Sequence, residues 1–408
     1  PGPPRSTGGP PRRSPGPPRS TGEPPRRSPG PPRSTGRPTR LGTDDLRRLR
    51  MAAQRLTGRR PRAVAEVVRA VGGLQAQDTP ASRLAVRPRS TGLDEAAVRR
   101  ACNQDRSVVR TWAMRGTLHL VAAVDVGWLV ALLGPVFVAA DRRRRLQLGL
   151  DDDLCERALA ALPAVLAAGP LSRADLVRGL AAEGVRIDPS GQAPAHLVGY
   201  AAMRGLVCRG PDLDGDQASY VLLEDWVGGG AGRPPGPDDA LAELARRYLG
   251  GHGPAGPEDL AAWSGLPVGR ARRAFELVAD ELRELEVDGR RLWTPADAPA
   301  APSPAGDPVM RLLGRFDDFL LGWRGRDLIL DARFARRVAA GGWVHPVVVV
   351  DGRVAGTWRA RRAGGRLEVA VEPFAGRLPR RARPGLEAEA ADLGRFLAIE
   401  TRLEVDGR

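Results

Sequence analysis

The chain has 408 residues, and its 63 basic and 48 acidic side chains give a formal net charge of +15. Every basic side chain is an arginine, so the sequence excludes lysine Schiff-base chemistry and a Walker-type phosphate-binding lysine. The longest uninterrupted apolar runs, such as residues 347–350, fall far short of the roughly 20 residues that a membrane-spanning helix needs. We therefore expect a soluble protein, and the length favours about two to four folded units.

The three cysteines, Cys102, Cys155 and Cys208, are widely spaced and form no CxxC pair. This pattern favours a reducing cytoplasm, with the thiols as small core residues rather than metal ligands. We expect neither a metal nor a cofactor.

Residues 1–40 differ from the rest of the chain. They contain nine Arg and one Glu, hence +8 of the net +15, together with fourteen Pro and seven Gly. The segment is an internal repeat of PGPPRSTGGPPRRS, PGPPRSTGEPPRRS and PGPPRSTGRPTR. Its composition predicts a disordered or polyproline II tail. Such a tail either adds phosphate affinity or is a translated upstream stretch without a selected role. We favour the second reading because the first methionine is Met51.

Helical periodicity begins at Thr43, with Leu46 and Leu49 on one face. Further helices are predicted up to residue 102, and VVRTWAMRGTLHLV then reads as two half-apolar strands. Helices closed by a hairpin are typical of a winged helix, predicted here over residues 41–150.

The same order recurs over residues 151–224 and again over residues 238–295, where GPLSRADLVRGL and GPAGPEDLAAWSGL occupy equivalent places. Pro/Gly/Ala-rich linkers follow each of these two units. Residues 309–408 are predicted to form several β-strands followed by a helix near the C-terminal end. The sequence therefore predicts a mainly α protein with β wings, made of three tandem winged helix-turn-helix units and a C-terminal α+β or barrel-like domain.

Tandem winged helices with excess arginine point first to nucleic acid, although the same unit also serves in protein interactions. Arg270, Arg272 and Arg273 lie on the predicted recognition helix of the third unit, either as phosphate contacts or as a solvated charged face. Arg115 lies at the tip of the first hairpin, where a phosphate or minor-groove contact is expected. His119, on a strand of that hairpin, either contacts DNA or packs in the core, and packing is slightly favoured.

The peptide GGLQAQD contains two amides two residues apart. In an extended segment Gln75 and Gln77 project side by side, with Ala76 turned into the protein. Two amides offer donors and acceptors enough to hold a water or a sugar edge. From the spacing alone, a pair that satisfies loop backbone is the favoured alternative. Asp78 is interpreted as a helix N-cap in preference to a base.

The paired carboxylates Asp317 and Asp318 precede Arg324 and Arg326 in LLGRFDDFLLGWRGR. No His or Cys lies nearby at ligand spacing, so internal salt bridging within this cluster is favoured over metal binding or catalysis.

Four blocks, GGLQAQD, VVRTWAMRGTLHLV, LLGRFDDFLLGWRGR and WVHPVVVVDGRVAGTWR, occur in this order and at separations that closely resemble the AlkZ-type winged-helix DNA glycosylases. The resemblance covers about residues 41–405. It implies a bacterial base-excision enzyme that removes N-alkylated purines or opens interstrand crosslinks, with tandem winged helices around a C-shaped cleft. It also implies a catalytic Gln-Φ-Gln signature, which matches Gln75 and Gln77, with the small Ala76 at the central position.

An N7-alkylated purine is already cationic and leaves without protonation, so two neutral amides that orient water at C1′ suffice for this chemistry. Because the chain lacks lysine, we expect a monofunctional DNA glycosylase that leaves an intact abasic site. The expected partner is double-stranded DNA with alkylated bases, bound by a monomer in the cytoplasm at the nucleoid. The alternative is a non-catalytic winged-helix DNA-binding or regulatory protein.

Overall fold

A computed structural model describes residues 39–228, 235–299 and 307–405. All but the last two residues of the predicted tail, and parts of both predicted linkers, lie outside these ranges. The described residues belong to one unit of the chain, which runs from Pro31 to Arg408.

The elements up to residue 228 are nine helices and seven short strands. They are β1 (Thr39–Leu41), α1 (Thr43–Ala53), α2 (Val64–Ala70), β2 (Leu74–Gln75), α3 (Thr79–Val86), α4 (Glu95–Asn103), β3 (Val108–Trp112), β4 (Leu118–Ala122), α5 (Ala123–Gln147), α6 (Asp152–Leu166), β5 (Leu171–Ser172), α7 (Arg173–Ala182), α8 (Ala193–Met203), β6 (Val207–Arg209), β7 (Ser219–Leu222) and α9 (Leu223–Val227).

Residues 235–299 form α10 (Pro237–His252), α11 (Pro257–Ser264), α12 (Val268–Leu277), β8 (Leu282–Val287) and β9 (Arg290–Pro295). The remaining elements are β10 (Met310–Leu313), α13 (Asp318–Leu321), α14 (Ala335–Val338), β11 (Ala339–Ala340), β12 (Trp343–Val344), β13 (Val347–Val350), β14 (Arg353–Ala363), β15 (Arg366–Pro373), α15 (Arg383–Leu397) and β16 (Thr401–Val405). The fold is therefore mixed α and β.

The first two groups of helices share one sheet. Its strand order is β2-β4-β3-β6-β7-β5, and the pair Arg110 and Arg209 joins the hairpin of the first group to the strands of the second. Asp212 strengthens this junction by accepting from Arg83 at 2.8 Å and from Arg110 at 3.1 Å. Residues 197–203 of α8 are all buried. The two groups therefore form one packed body.

Helix α5 is the one helix of the described residues that is long and apolar enough to cross a membrane by length and composition. Its uninterrupted apolar runs are short, because Asp125 and Gly134-Pro135 lie within the helix. Within the protein, α5 carries the buried Asp125, which pairs with Arg247 of α10 at 3.0 Å. At Gly134, an added Cβ would lie 2.0 Å from the carbonyl oxygen of Met203, so α5 and α8 pack backbone against backbone. These contacts are those of a helix packed between other elements of the fold.

Helices α10 to α12 pack together and are followed by the hairpin β8-β9, to which β1 adds a third, parallel strand. Asp288 and Gly289 form the predicted hairpin turn, with φ values of 50° and 74°. Positive φ at both central positions is the turn geometry that matches the twist of paired strands.

The C-terminal strands form an open sheet of order β10-β13-β14-β15-β16. Helix α15 packs against β10 and returns the chain so that β16 runs parallel to β15. The α+β alternative of the prediction therefore describes this part, because β10 and β16 remain at opposite edges and no barrel closes.

A buried arginine attaches this sheet to the N-terminal part of the chain. Arg87, which follows α3, donates to Glu389 and Asp392 of α15 at 2.8 Å each and to the carbonyl oxygen of Leu312 at 2.6 Å. Since Arg87 has no exposed surface, these bonds are what satisfy its charge. The attachment brings the segment after β10 next to the GGLQAQD peptide.

Candidate active site

A turn at two glycines precedes β2, the strand that ends at Gln75. Gly72 and Gly73 have φ values of +73° and +128°, a conformation that favours glycine. A Cβ on Gly73 would lie 2.7 Å from Cε of Met114 and 3.3 Å from the carbonyl oxygen of Leu120. The turn therefore fits closely against the first hairpin, and β2 pairs with β4 so that Gln75 stands opposite His119.

Gln75 and Gln77 are brought together as the alternation predicts. Nε2 of Gln75 donates to Oε1 of Gln77 at 2.7 Å, while Ala76 between them is buried and its N–H donates to the carbonyl oxygen of Leu118. Gln75 is 7% exposed and Gln77 is exposed. One amide is therefore anchored in the protein and the other faces solvent.

Arg115 fixes the orientation of the Gln75 amide. Its guanidinium donates to Oε1 of Gln75 and to the carbonyl oxygen of Trp263. A guanidinium has donors only, so the atom of Gln75 that faces Arg115 is the oxygen, and the NH₂ group turns to Gln77. Arg115 lies at the hairpin tip, as predicted, with its side chain turned to the motif, and its contact with DNA stays a prediction.

Asp318 contacts the same glutamine from the C-terminal part of the chain. Its Oδ2 accepts from the main-chain N–H of Gln75 at 3.0 Å, and it has no exposed surface. Among the described residues, its Oδ1 has no hydrogen-bond partner. Burial raises the pKa of Asp318 to about 7, although Arg89 and Arg115 lower it.

The acid-base cluster predicted around Asp318 has different partners. Asp317 pairs with the fully buried Arg89 at 2.7 Å. Arg326 donates to the carbonyl oxygen of Leu320, and the main-chain N–H of Arg324 donates to Asp259. The salt bridging predicted within this cluster is therefore not found among the described residues. Asp317 pairs across the fold instead, because α13 turns Asp317 and Asp318 away from the arginines that follow them.

Two neutral histidines lie in the interior near this site. His119 has no exposed surface, and burial lowers its pKa to about 3. Its Nδ1 lies 2.9 Å from the carbonyl oxygen of Thr117, so the imidazole is packed and has no surface to offer DNA. His252 is also fully buried, stacks on Tyr248 and has its pKa lowered to about 3 by burial.

Asp78 caps α3, as predicted, by accepting from the N–H of Ala81 at 3.0 Å. It also pairs with Arg315 at 3.0 Å. Its carboxylate is therefore held beside the amide pair by the start of a helix and by an arginine.

The three arginines of the predicted recognition helix lie on α12 and are at least partly exposed. Arg272 pairs with Glu258 at 2.8 Å and Arg273 pairs with Asp238 at 2.7 Å. Arg272 and Arg273, two of the three candidate phosphate contacts, are therefore paired with carboxylates of the protein itself.

Two open cavities are lined by residues that follow or contact the amide pair. One of about 680 Å³ is lined by Asp78, which follows Gln77, and by Arg315. Another of about 460 Å³ is lined by Arg115 together with Trp112 and Phe137. Within the described parts of the chain, no group of three or more His, Cys, Asp or Glu side chains is arranged to hold a metal ion.

Residues 68–396 match the family described as DNA glycosylase AlkZ-like. The interstrand DNA cross-link repair glycosylase of Streptomyces sahachiroi is 33% identical over 376 residues, which cover 87% of this chain and 96% of that protein. The solved structure of Streptomyces sahachiroi DNA glycosylase AlkZ superposes with a TM-score of 0.76 at 28% identity, covering 90% of this chain and 100% of that one. The chain belongs to the AlkZ-like DNA glycosylase family, and the resemblance of the four sequence blocks is confirmed.

Proposed function

We propose that the protein is a monofunctional DNA glycosylase that removes N-alkylated purines, N7-alkylpurines above all, by attack of water at C1′. The observation that carries this proposal is the hydrogen-bonded pair of Gln75 and Gln77, anchored by Arg115 on one side and exposed on the other. The name of the Streptomyces sahachiroi relative extends the proposed substrates to purines in interstrand crosslinks.

The amide pair keeps hydrogen-bonding capacity for one water. A carbonyl oxygen accepts two hydrogen bonds, and Oε1 of Gln75 and Oε1 of Gln77 each have one acceptor position engaged within the site. The remaining positions support a water whose protons point to the two amides and whose lone pair points to the sugar. This supplies orientation rather than basicity.

The reaction balances without an acid from the protein. The bond from C1′ to the purine nitrogen breaks, and its electron pair neutralises the positive charge that N7-alkylation placed on the base. Water forms the new bond to C1′ of the oxocarbenium-like sugar and releases its proton to solvent. Because the sequence has no lysine to form an imine, the proposed product is an intact abasic site.

The proposed partner is duplex DNA, bound by a monomer in the cytoplasm at the nucleoid. We interpret the three helix groups that end in β3-β4, β6-β7 and β8-β9 as tandem winged helices. What supports this interpretation is the order of helices and hairpin in each group, and the exposed arginines of α12.

The test is base release under single-turnover conditions from a duplex with one N7-methylguanine. The native protein is compared with a Gln75→Ala, Gln77→Ala double variant and with a matched control, Gln104→Ala, Gln147→Ala, which changes two exposed glutamines. We expect base release by the native protein and the control, and none by the active-site variant, with duplex affinity retained in all three. Tight binding without base release by the native protein, on this duplex and on a crosslinked one, would favour the non-catalytic DNA-binding alternative.

A further inference from the structure

Asp318 and Gln75 are 243 residues apart in sequence, and their contact is the direct hydrogen bond between the C-terminal part of the chain and the amide pair. We propose that Asp318 is a positioning residue that holds Gln75, and through it Gln77, in the geometry that orients water. This inference rests on the proposed function, and it assigns a role to a carboxyl group that itself touches no substrate.

The geometry fixes Gln75 at two points. Its main-chain N–H is held by Oδ2 of Asp318 at 3.0 Å, and its side-chain oxygen is held by Arg115. β2 is an edge strand of its sheet, and Asp318 binds the main-chain N–H of Gln75, while the next N–H, that of Ala76, still donates to Leu118 of β4. With both ends held, the direction of the bond from Nε2 of Gln75 to Gln77 is determined.

The neighbouring carboxyl group shows what a structural role looks like. Asp317 makes two bonds to Arg89, at 2.7 and 2.8 Å, and caps α13 by accepting from the N–H of Phe319. Asp318 is equally buried, yet one of its two oxygens has no partner among the described residues. A buried, half-satisfied carboxyl group is costly to fold, and such groups concentrate at functional sites.

The charge of Asp318 also acts on the residue that holds the other end of Gln75. The charged groups that act on Asp318 are Arg89, Asp317 and Arg115. The neutral His252 lies against Gly322, which follows α13. An ionised Asp318 makes a charge-assisted bond to the N–H of Gln75 and attracts Arg115; a protonated one weakens both. Because burial raises the pKa of Asp318 to about 7, this change falls near neutral pH.

The kinetic test compares Asp318→Asn with a matched control, Asp125→Asn. Asp125 is also a buried aspartate, but it lies on α5, pairs with Arg247 at 3.0 Å and accepts from Nε1 of Trp128 at 3.1 Å, and neither partner holds Gln75. Single-turnover base release is measured from pH 5.5 to 8.5 with the full-length proteins. We expect the native rate to rise with pH around 7 and the control to keep this rise. The Asp318→Asn rate should be flat and about tenfold below the native plateau, the effect of losing a charge-assisted hydrogen bond.

A second measurement does not depend on catalysis. In protein labelled with ¹⁵N-glutamine, the main-chain amide signal of Gln75, assigned by its loss in Gln75→Ala, should titrate with a midpoint near pH 7 in the native protein. The signal should not titrate in this range in Asp318→Asn. If Asp318→Asn fails to fold, the titration of the native protein alone still tests whether the Gln75 amide senses the ionisation of Asp318.

The outcomes separate the two proposals. A native rate and pH profile in Asp318→Asn, or a Gln75 amide that does not titrate, overturns the positioning role even if base release is efficient. A native protein that releases no base overturns the proposed function. The amide titration then tests the contact between Asp318 and Gln75 independently of catalysis. A titrating amide together with a flat variant profile supports both.

Discussion

Arg115 and Gln75 are 40 residues apart and are joined by a hydrogen bond from a guanidinium N–H to the side-chain oxygen. The bond exists because the turn after β3 has a left-handed residue, Arg115 itself with φ of 56°, which folds the hairpin tip back onto the end of β2. The first hairpin thus supplies a donor to the amide pair.

Replacing Arg115 by Lys should slow base release by about tenfold or more while leaving duplex affinity nearly unchanged. An ammonium keeps the charge but lacks the planar fork that reaches Gln75 and Trp263 together, so the Gln75 amide loses its fixed orientation. The measurement is single-turnover base release alongside fluorescence anisotropy with the same duplex. Arg361→Lys, an exposed arginine of β14, is the matched control, and an equal loss in both variants would contradict the argument.

Gly73→Ala should destabilise the protein more than Gly58→Ala. Both glycines have positive φ, which costs an alanine about 1–2 kcal/mol. A Cβ on Gly58, at a φ of +70°, has no atom within 4 Å. Gly73 has a φ of +128°, and a Cβ there would lie 3.3 Å from the main-chain oxygen of Leu120 as well as 2.7 Å from the end of the Met114 side chain. We therefore expect a loss of about 1 kcal/mol for Gly58→Ala and about 3 kcal/mol for Gly73→Ala from urea denaturation. Equal losses would mean that the turn has room against the hairpin.

The parts of the site that the sequence predicted are those that local periodicity determines. The side-by-side placement of Gln75 and Gln77, the burial of Ala76 and the cap at Asp78 depend on alternation or on helix-start chemistry within a few residues. The hairpin turn at residues 288–289 was predictable for the same reason.

The parts that the sequence did not predict depend on contacts between distant segments. Asp318 looked like one half of a salt bridge with the arginines that follow it, and nothing in its local spacing indicated Gln75 as its partner. The expectation of a DNA contact for Arg115 rests on its place at a hairpin tip. Its bonds to Gln75 and to Trp263 of α11 join segments that local spacing does not relate. The length of α5 is not evident from the sequence because Asp125, Gly127 and Gly134-Pro135 divide its apolar residues into short runs.

Asp318→Asn should gain stability relative to the native protein as the pH rises. The pKa of Asp318 in the folded protein, about 7, is above the ordinary value of 3.8, so between these values the folded chain holds a proton that the unfolded chain has lost. Its contribution to the free energy of unfolding is therefore fully present below pH 3.8 and is lost as the pH rises to about 7. The uncharged asparagine avoids this loss.

We expect the free energy of unfolding of Asp318→Asn, minus that of the native protein, to increase by about 2 kcal/mol between pH 5 and pH 8. Urea denaturation at both pH values gives this difference. A constant difference across the range would show that Asp318 titrates normally in the folded protein. Asp125→Asn, which makes the same change at another buried aspartate, is the control.

The buried histidines should make the protein sensitive to acid. The pKa values of His119 and His252 are lowered from 6.5 to about 3. As the pH falls below 6.5, these histidines therefore become protonated in the unfolded chain but stay neutral in the folded chain. Each histidine therefore removes about 1.4 kcal/mol of stability per pH unit in that window. His119→Asn keeps a donor near Thr117 but cannot be protonated. We expect it to lower the slope of unfolding free energy against pH between 5 and 6 by about 1.4 kcal/mol per unit, and an unchanged slope would assign the acid sensitivity to other groups.

The arginines of α12 should contribute to duplex binding through phosphate contacts that depend on salt. Each phosphate neutralised by a protein cation changes the slope of log affinity against log salt concentration by about 0.9. Replacing Arg270, Arg272 and Arg273 by Gln should reduce this slope by between one and three such increments, and Asp238→Asn should increase affinity at low salt because it releases Arg273 from its ion pair. The control replaces three exposed arginines of β14, Arg359, Arg361 and Arg362, and so lowers the net charge by the same amount. If both triple variants lose the same slope, affinity follows net charge alone and α12 makes no specific contact with the duplex. A loss confined to α12 would place this helix against the DNA backbone.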